Sequence, residues 1–297
     1  MTDYRQVFAG LQLRWLVPLQ WALLIGAYIL IEILNLCLPT GFLPPESHYF
    51  FEAFPNLLGQ LLFIGALWMI CKSKGFSLQS FWQLPIAPQK WYWLGLLFIP
   101  LMLMSLTLNA LIGYFIENFS YLPFEEASEL NPLGMWIIEP WKSHWYLAYN
   151  FLSVFNLVLL TPFVEELFFR GFVLHRLSLK YGAYKGLFFS ALFFGAFHLH
   201  GIGHATLIGL VLGFVYLQTR NLRVTIYWHM LHNGVSILFS ILNSDFSILD
   251  QPEIEHTFDA VGLGLLGIFL VCLPTGIRWL RQQRITYTAP LFQEPVE

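Results

Sequence analysis

Eight stretches of this chain are apolar for long enough to be read as helices crossing a lipid bilayer. They are Trp15–Leu36, Ala53–Cys71, Trp91–Ile116, Ser143–Val164 (continuing past Glu165), Gly186–Leu199, Ala205–Thr219, Val224–Asn243 and Ala260–Ile277. A helix needs about 20 apolar residues to span a hydrocarbon layer ~30 Å thick. The first stretch is too long for a secretory h-region, and no small-residue cleavage site follows it, so it is read as a retained span. The fifth and sixth form an unusual pair. Between Lys185 and Arg220 lie 34 residues free of Asp, Glu, Lys and Arg. Two helices and a turn at His200–His204 must share them, at ~15–17 residues or about 22–26 Å per helix. That is short for a full crossing, so the turn is expected to stop inside the protein, around a polar cavity.

The polar positions between the spans fix an orientation. Arg5 and Arg14 precede the first span, and Lys72, Lys74 and Lys90 lie between the second and third. Arg170, Arg176, Lys180 and Lys185 follow the fourth, Arg220 and Arg223 the sixth, and Arg278, Arg281 and Arg284 the eighth. Fourteen of the fifteen basic residues thus fall on alternate loops, with Lys142 the exception. The opposite loops carry Glu117, Glu125, Glu126, Glu129 and Glu139, then Asp245, Asp250, Glu253 and Glu255. By the positive-inside rule both termini are cytoplasmic. An even number of spans requires both ends on one side.

Composition sharpens this picture. Of 297 residues, 57% are hydrophobic, 18% aromatic and only 11% charged, with a mean hydropathy of +0.62. A soluble domain spends about a quarter of its residues on charge. The expected fold is therefore all-α: a polytopic membrane helix bundle of about eight transmembrane helices, forming a single membrane domain over residues 1–297. A net charge of −3 gives no reason to expect nucleic acid as a partner. Cys37, Cys71 and Cys272 have no metal-binding or redox spacing and read as packing residues.

Candidate chemistry lies in ionisable residues inside the apolar helices, which are costly there and face a cavity or a partner. Three clusters qualify: Glu165-Glu166-Leu-Phe-Phe-Arg170, Phe194-Gly-Ala-Phe-His198 and His229-Met-Leu-His232-Asn233. Glu166 and Arg170 are four apart on one helix face, a favourable ion-pair spacing. Glu165 points about 100° away and lacks that partner. It is a candidate general base, although a purely structural pairing of both glutamates with Arg170 fits the same spacing. His198 alone reads equally as a core histidine bonded to a backbone carbonyl. His229 and Asn233 share a face and can aim an imidazole and an amide at one point, or make a structural interhelical bond. His232 lies one position off that face. Measured along the helices, Glu165 lies ~16–22 Å from Arg176–Lys180, His198 ~20 Å from Lys185, and His229 ~9–13 Å from Arg220–Arg223. Helix tilt absorbs that spread, so one cytoplasm-facing cavity accommodates all three.

With these residues in place, the sequence resembles the CPBP family of CAAX proteases and bacteriocin-processing proteins, also called the ABI family, which includes the type II CAAX prenyl endopeptidases. The EExxxR, FxxxH and HxxxN motifs appear in order as Glu165-Glu166…Arg170, Phe194…His198 and His229…Asn233, with Gly171 after the arginine. The resemblance covers a core of residues 143–243. It implies an intramembrane endopeptidase in which Glu165 and His198 activate a water, His229 and Asn233 hold the oxyanion, and Glu166 and Arg170 orient the site. It leaves open a second version, in which Glu165, His198 and His229 bind a divalent metal such as zinc, although no HExxH is present. His200 and His204 read as ordinary turn residues, and Glu32 and Glu52 as water-reaching groups near the acidic face.

The implied partners are a hydrophobic or lipid-modified peptide and membrane lipid. Two other classes fit less well. A proton- or cation-coupled transporter would use the same Glu and His residues as a relay, but duplicated halves and paired broken helices are lacking. A non-catalytic immunity or scaffold protein would have no need of three intact motifs.

Overall fold

The computed structural model describes residues 12–38, 44–45, 47–78, 81, 143–198 and 202–246, and among these every regular element is helical. The helices are α1 (Leu13–Cys37), α2 (Ser47–Ser73), α3 (His144–Tyr181), α4 (Ala183–Ala196), α5 (Ile202–Thr219) and α6 (Leu222–Phe246). They match six of the expected spans. The spans Trp91–Ile116 and Ala260–Ile277, the acidic loop of 117–139, the acidic positions 250–255 and Cys272 lie outside the described residues, whereas Asp245, expected in a loop, falls within α6.

The burial pattern is that of a protein dissolved in lipid. Ile25, Ile29 and Ile33 of α1 are each more than half exposed, as are Met69 of α2 and Phe151 of α3, whereas Glu166 and Arg170 are 0% and 1% exposed. Water would enforce the reverse. α1, α2, α3 and α5 are long and apolar enough to cross a membrane. The fold is an all-α membrane bundle. α6 has the length, 25 residues, but carries Arg223, Thr225, His229, His232 and Asn233. It is the polar wall of the site, and packing against α3 and α5 makes that polarity tolerable.

Two expectations change. α5 begins at Ile202, so His204 belongs to the first turn of a helix and not to a connecting turn. Arg170 is buried inside α3 and paired, so it marks no cytoplasmic loop. Removing it from both counts leaves thirteen of fourteen basic residues on the alternate loops of the sequence reading. Of the cysteines, Cys71 packs in the core, whereas Cys37 is exposed at the end of α1. α4, with 14 residues, is indeed short, at about 21 Å.

Small residues set how closely the site helices approach. α3 and α4 are joined by Gly182 alone, whose φ of 84° lies in the left-handed region. The sharp return brings Gly186 against Ser178, where a Cβ would sit 2.6 Å from backbone atoms. Further along, a Cβ on Gly195 would collide with Thr206, and one on Gly209 would sit 3.1 Å from the Ala191 Cα. α4 and α5 therefore pack backbone against backbone, the mode available to helices that gain nothing from excluding lipid.

α3 is one continuous 38-residue path that changes its winding twice. π-turns at Asn156–Leu160 and Leu167–Val173 flank the α-helical segment Thr161–Glu166. Such bulges are rare and frequently mark functional sites. At the first, the Thr161 N–H reaches back to the Asn156 carbonyl. Pro162 has no N–H to offer. The Leu157 carbonyl thus loses the partner that either α or π winding would have supplied.

Candidate active site

The floor of the site is a buried cluster of Glu166, Arg170 and His229. Glu166 Oε1 lies 2.9 Å from Arg170 Nη1, one helical turn away, and 2.9 Å from Nδ1 of His229 on α6. Arg170 also donates through Nη2 to the Gly209 carbonyl at 3.3 Å, and its guanidinium lies 4.7 Å from the centroid of the Phe194 ring. Four helices are therefore tied together at one cation. With the ion pair ionised, the Glu166 carboxylate only accepts, so the hydrogen in its bond to His229 sits on Nδ1.

Phe194 explains why an aromatic residue precedes His198 by one turn. Its carbonyl meets His198 Nδ1 at 2.9 Å. Its ring lies 4.6 Å from the His198 ring, 5.9 Å from the His229 ring, and beneath Arg170. A carbonyl can only accept, so His198 also carries its proton on Nδ1.

Both imidazoles then direct Nε2 at Glu165. His198 Nε2 is 3.7 Å from Oε1, and His229 Nε2 is 3.7 Å from Oε2. In the neutral rings these nitrogens bear lone pairs, and a carboxylate has only lone pairs to offer in return. The gaps are too long for direct hydrogen bonds, and three facing acceptors call for a donor between them. A water set off the line joining Glu165 and His198 reaches both at about 2.8 Å. Side-chain exposures of 37% for His198 and 16% for Glu165, against 5% for His229 and 0% for Glu166, put the reachable groups at the mouth and the ion pair beneath.

Asn233 makes the interhelical bond that the spacing equally allowed. Its Nδ2 donates to the Leu157 carbonyl at 2.9 Å, and its Oδ1 lies 3.2 Å from His232 Nδ1. The acceptor is the carbonyl freed by Pro162 and the π-turn, so this amide satisfies the backbone just ahead of Glu165. One N–H of the amide remains, its direction fixed by the first. Asn233→Ala should lower turnover by roughly 10²-fold or more if that N–H meets an oxyanion. It should also cost about 1–3 kcal/mol for the abandoned carbonyl. Steady-state rates and denaturant unfolding of the same sample separate the two. Unchanged turnover would leave Asn233 a structural residue only.

The donors suit a metal in kind, since two Nε2 lone pairs and a carboxylate are available and each imidazole is fixed through its other nitrogen. Among the described residues no three His, Cys, Asp or Glu side chains gather closely enough to hold an ion.

Several neighbours escape a reading of spacing alone. His204 and His232 stand ring to ring at 5.5 Å. Gln60 of α2 donates to Thr161 at 2.9 Å, one turn before Glu165. The legible signal for the altered backbone was Pro162 within an apolar run. Nothing in the sequence marks Gln60 or the Gly209 carbonyl.

Residues 147–235 match the family of the type II CAAX prenyl endopeptidase Rce1-like proteins. The match falls within the motif-bearing core and includes α4 and α5 with most of α3 and much of α6. No curated protein and no solved structure matches the chain.

Proposed function

We propose that this chain, whose residues 147–235 form a domain of the CAAX-type intramembrane protease family, hydrolyses a peptide bond in a hydrophobic or lipid-modified peptide with a water activated by Glu165 and His198. One observation carries the reading: His198 and His229 each present Nε2 to the same partly exposed carboxylate at 3.7 Å. A water there donates one O–H to Glu165 and the other to His198 Nε2, which leaves an oxygen lone pair for the substrate. Its oxygen adds to the scissile carbonyl carbon as its proton passes to Glu165. The carbonyl oxygen becomes an oxyanion, met by the remaining Asn233 N–H. His229 Nε2 can join as a donor only while that ring carries both protons. Collapse breaks the C–N bond, and the proton held by Glu165 goes to the leaving nitrogen. Acid and amine products then balance one peptide bond and one water. Glu166 and Arg170 hold His229 and touch no reacting atom.

The test uses full-length protein reconstituted in liposomes with a farnesylated peptide ending in a CAAX sequence. The expected result is release of the terminal tripeptide, with little cleavage of the same peptide lacking the lipid. A glutamate-held water further implies that cleavage survives prolonged chelation. Protein that holds one equivalent of metal and loses all activity on its removal would overturn that mechanism. Failure to cut any membrane-tethered peptide would overturn the function.

The same reading sets the site to open towards the cytoplasm. Cysteines introduced within 125–131 and 250–255 should react with an impermeant thiol reagent from the non-cytoplasmic side of oriented vesicles. Positions near Lys74 and Arg176 should react from the other. Labelling of either acidic loop from the cytoplasmic side would refute the orientation and the eight-span count.

A further inference from the structure

Outside the matched segment, α1 and α2 meet α3 around a cavity of about 80 Å³. Its wall includes Gln20, Asn56, Gln60, Thr161 and the catalytic candidate Glu165 itself. Among the described residues, three acceptor atoms of these side chains are buried without a hydrogen-bond partner: Gln20 Oε1, Gln60 Oε1 and Glu165 Oε2, the last of which also faces His229 at 3.7 Å. Of the nearby amides, Gln60 Nε2 gives one hydrogen to Thr161 and Asn56 Nδ2 one to the Tyr28 hydroxyl, each at 2.9 Å, and each keeps a second. Leu24, Phe63 and Val164 complete an otherwise apolar lining.

Glutamines are expensive in an apolar helix, and an acceptor left bare in such surroundings costs free energy rather than supplying it. The wall therefore selects an occupant rich in donors. A peptide N–H offers one hydrogen and so satisfies one of these acceptors at a time. Water offers two hydrogens from one point and can bridge pairs of these acceptors. The volume is several times the ~10–15 Å³ that one water requires. Hydrolysis consumes a water per bond cut, and a polar store beside Glu165 replaces it while bound peptide covers the mouth.

We propose that this cavity is a water-binding site, held by Gln20 and Gln60, that resupplies the position at Glu165 after each turnover. The supply role rests on the reading of Glu165 as general base; the presence of water does not. Gln20 and Gln60 are positioning residues, acting on the reaction through the water they hold.

Two measurements on the full-length protein in liposomes test it. In a background with Cys37, Cys71 and Cys272 replaced by alanine, Gln60→Cys is treated with a small methanethiosulfonate ethylammonium reagent. The references are the exposed Lys74→Cys and the fully buried Leu67→Cys. Because the thiolate is the reacting form and needs water, Gln60→Cys should react within about tenfold of the Lys74→Cys rate. A rate as slow as that of Leu67→Cys overturns the water site, whatever the variants below do.

The second measurement is cleavage of the farnesylated peptide by Gln20→Leu, Gln60→Leu and the double variant. Loss of supply should lower kcat about tenfold or more in the double variant with KM unchanged. A raised KM at unchanged kcat means that the cavity holds peptide, and unchanged kinetics mean that it supplies nothing; either result overturns the proposal. Wild-type protein that cleaves no peptide overturns the endopeptidase reading and the supply role with it, while the labelling rates still decide the water site.

Discussion

Glu165→Gln is expected to lower kcat by roughly 10³-fold or more while the protein still inserts, folds and binds peptide. General-base catalysis contributes about 10²–10⁴ on its own, and here the same carboxylate also returns the proton to the leaving nitrogen. Glutamine keeps the shape and one acceptor oxygen but cannot take a proton. The distinguishing observation is stability. Among the described residues Glu165 makes no ion pair closer than 3.7 Å, the distance to Nε2 of His198 and of His229. Neutralising it should leave the thermal midpoint unchanged or raise it, as happens when a strained active-site charge is removed. Substantial cleavage by purified Glu165→Gln, or a midpoint lowered as far as that of an ion-pair variant, would remove Glu165 from the base role.

Arg170→Ala should act in the opposite way, chiefly through the fold. Glu166 is 0% exposed and Arg170 1% exposed, so removing the cation strands a buried carboxylate, at a typical cost of ~3–5 kcal/mol. The Gly209 carbonyl and the face of Phe194 lose their partner in the same step. Arg170→Lys should recover little, because an ammonium is a point charge and lacks the planar fork that reaches Glu166 and Gly209 together. A double variant, Glu166→Gln with Arg170→Met, should recover much of the stability, since replacing both partners of a buried pair is often close to neutral. It should remain inactive, because His229 would lose the carboxylate that holds its Nδ1. Denaturant unfolding paired with peptide cleavage checks both halves. If Arg170→Ala unfolds like wild type, the cluster of Glu166, Arg170 and His229 is not the tie that joins α3 to α5 and α6.

How much of this was legible in advance follows from which interactions are local. The membrane class was, because lipid selects apolar runs of a set length and the charges left between them are few. The Glu166–Arg170 pair was too, because i and i+4 are neighbours on any α-helix. Glu165 as the glutamate turned away from that pair follows from the same geometry. The three motifs in order identified the family that residues 147–235 match. No local rule could show that His229 bonds Glu166 with one nitrogen and faces Glu165 with the other. Those contacts join α3 to α6 across 63 positions of sequence and depend on how closely glycines let the helices approach.

Asn233 shows the boundary most clearly. Its position one turn after His229 was readable, and the spacing allowed either an aim shared with His229 or an interhelical bond. The tertiary structure sends one amide hydrogen to Leu157, because Pro162 withholds an N–H and a π-turn withholds the alternative. Gln20 and Gln60 stood in the sequence as isolated amides in apolar runs, with no spacing that links them to the motifs. Only the packing of α1 and α2 on α3 brings them to the wall that Glu165 shares. Periodicity and composition determine what each helix is and which face is polar, because those depend on near neighbours and solvent. Which polar groups meet is decided by the approach of distant helices, where the cost of an unpaired group in lipid selects one arrangement.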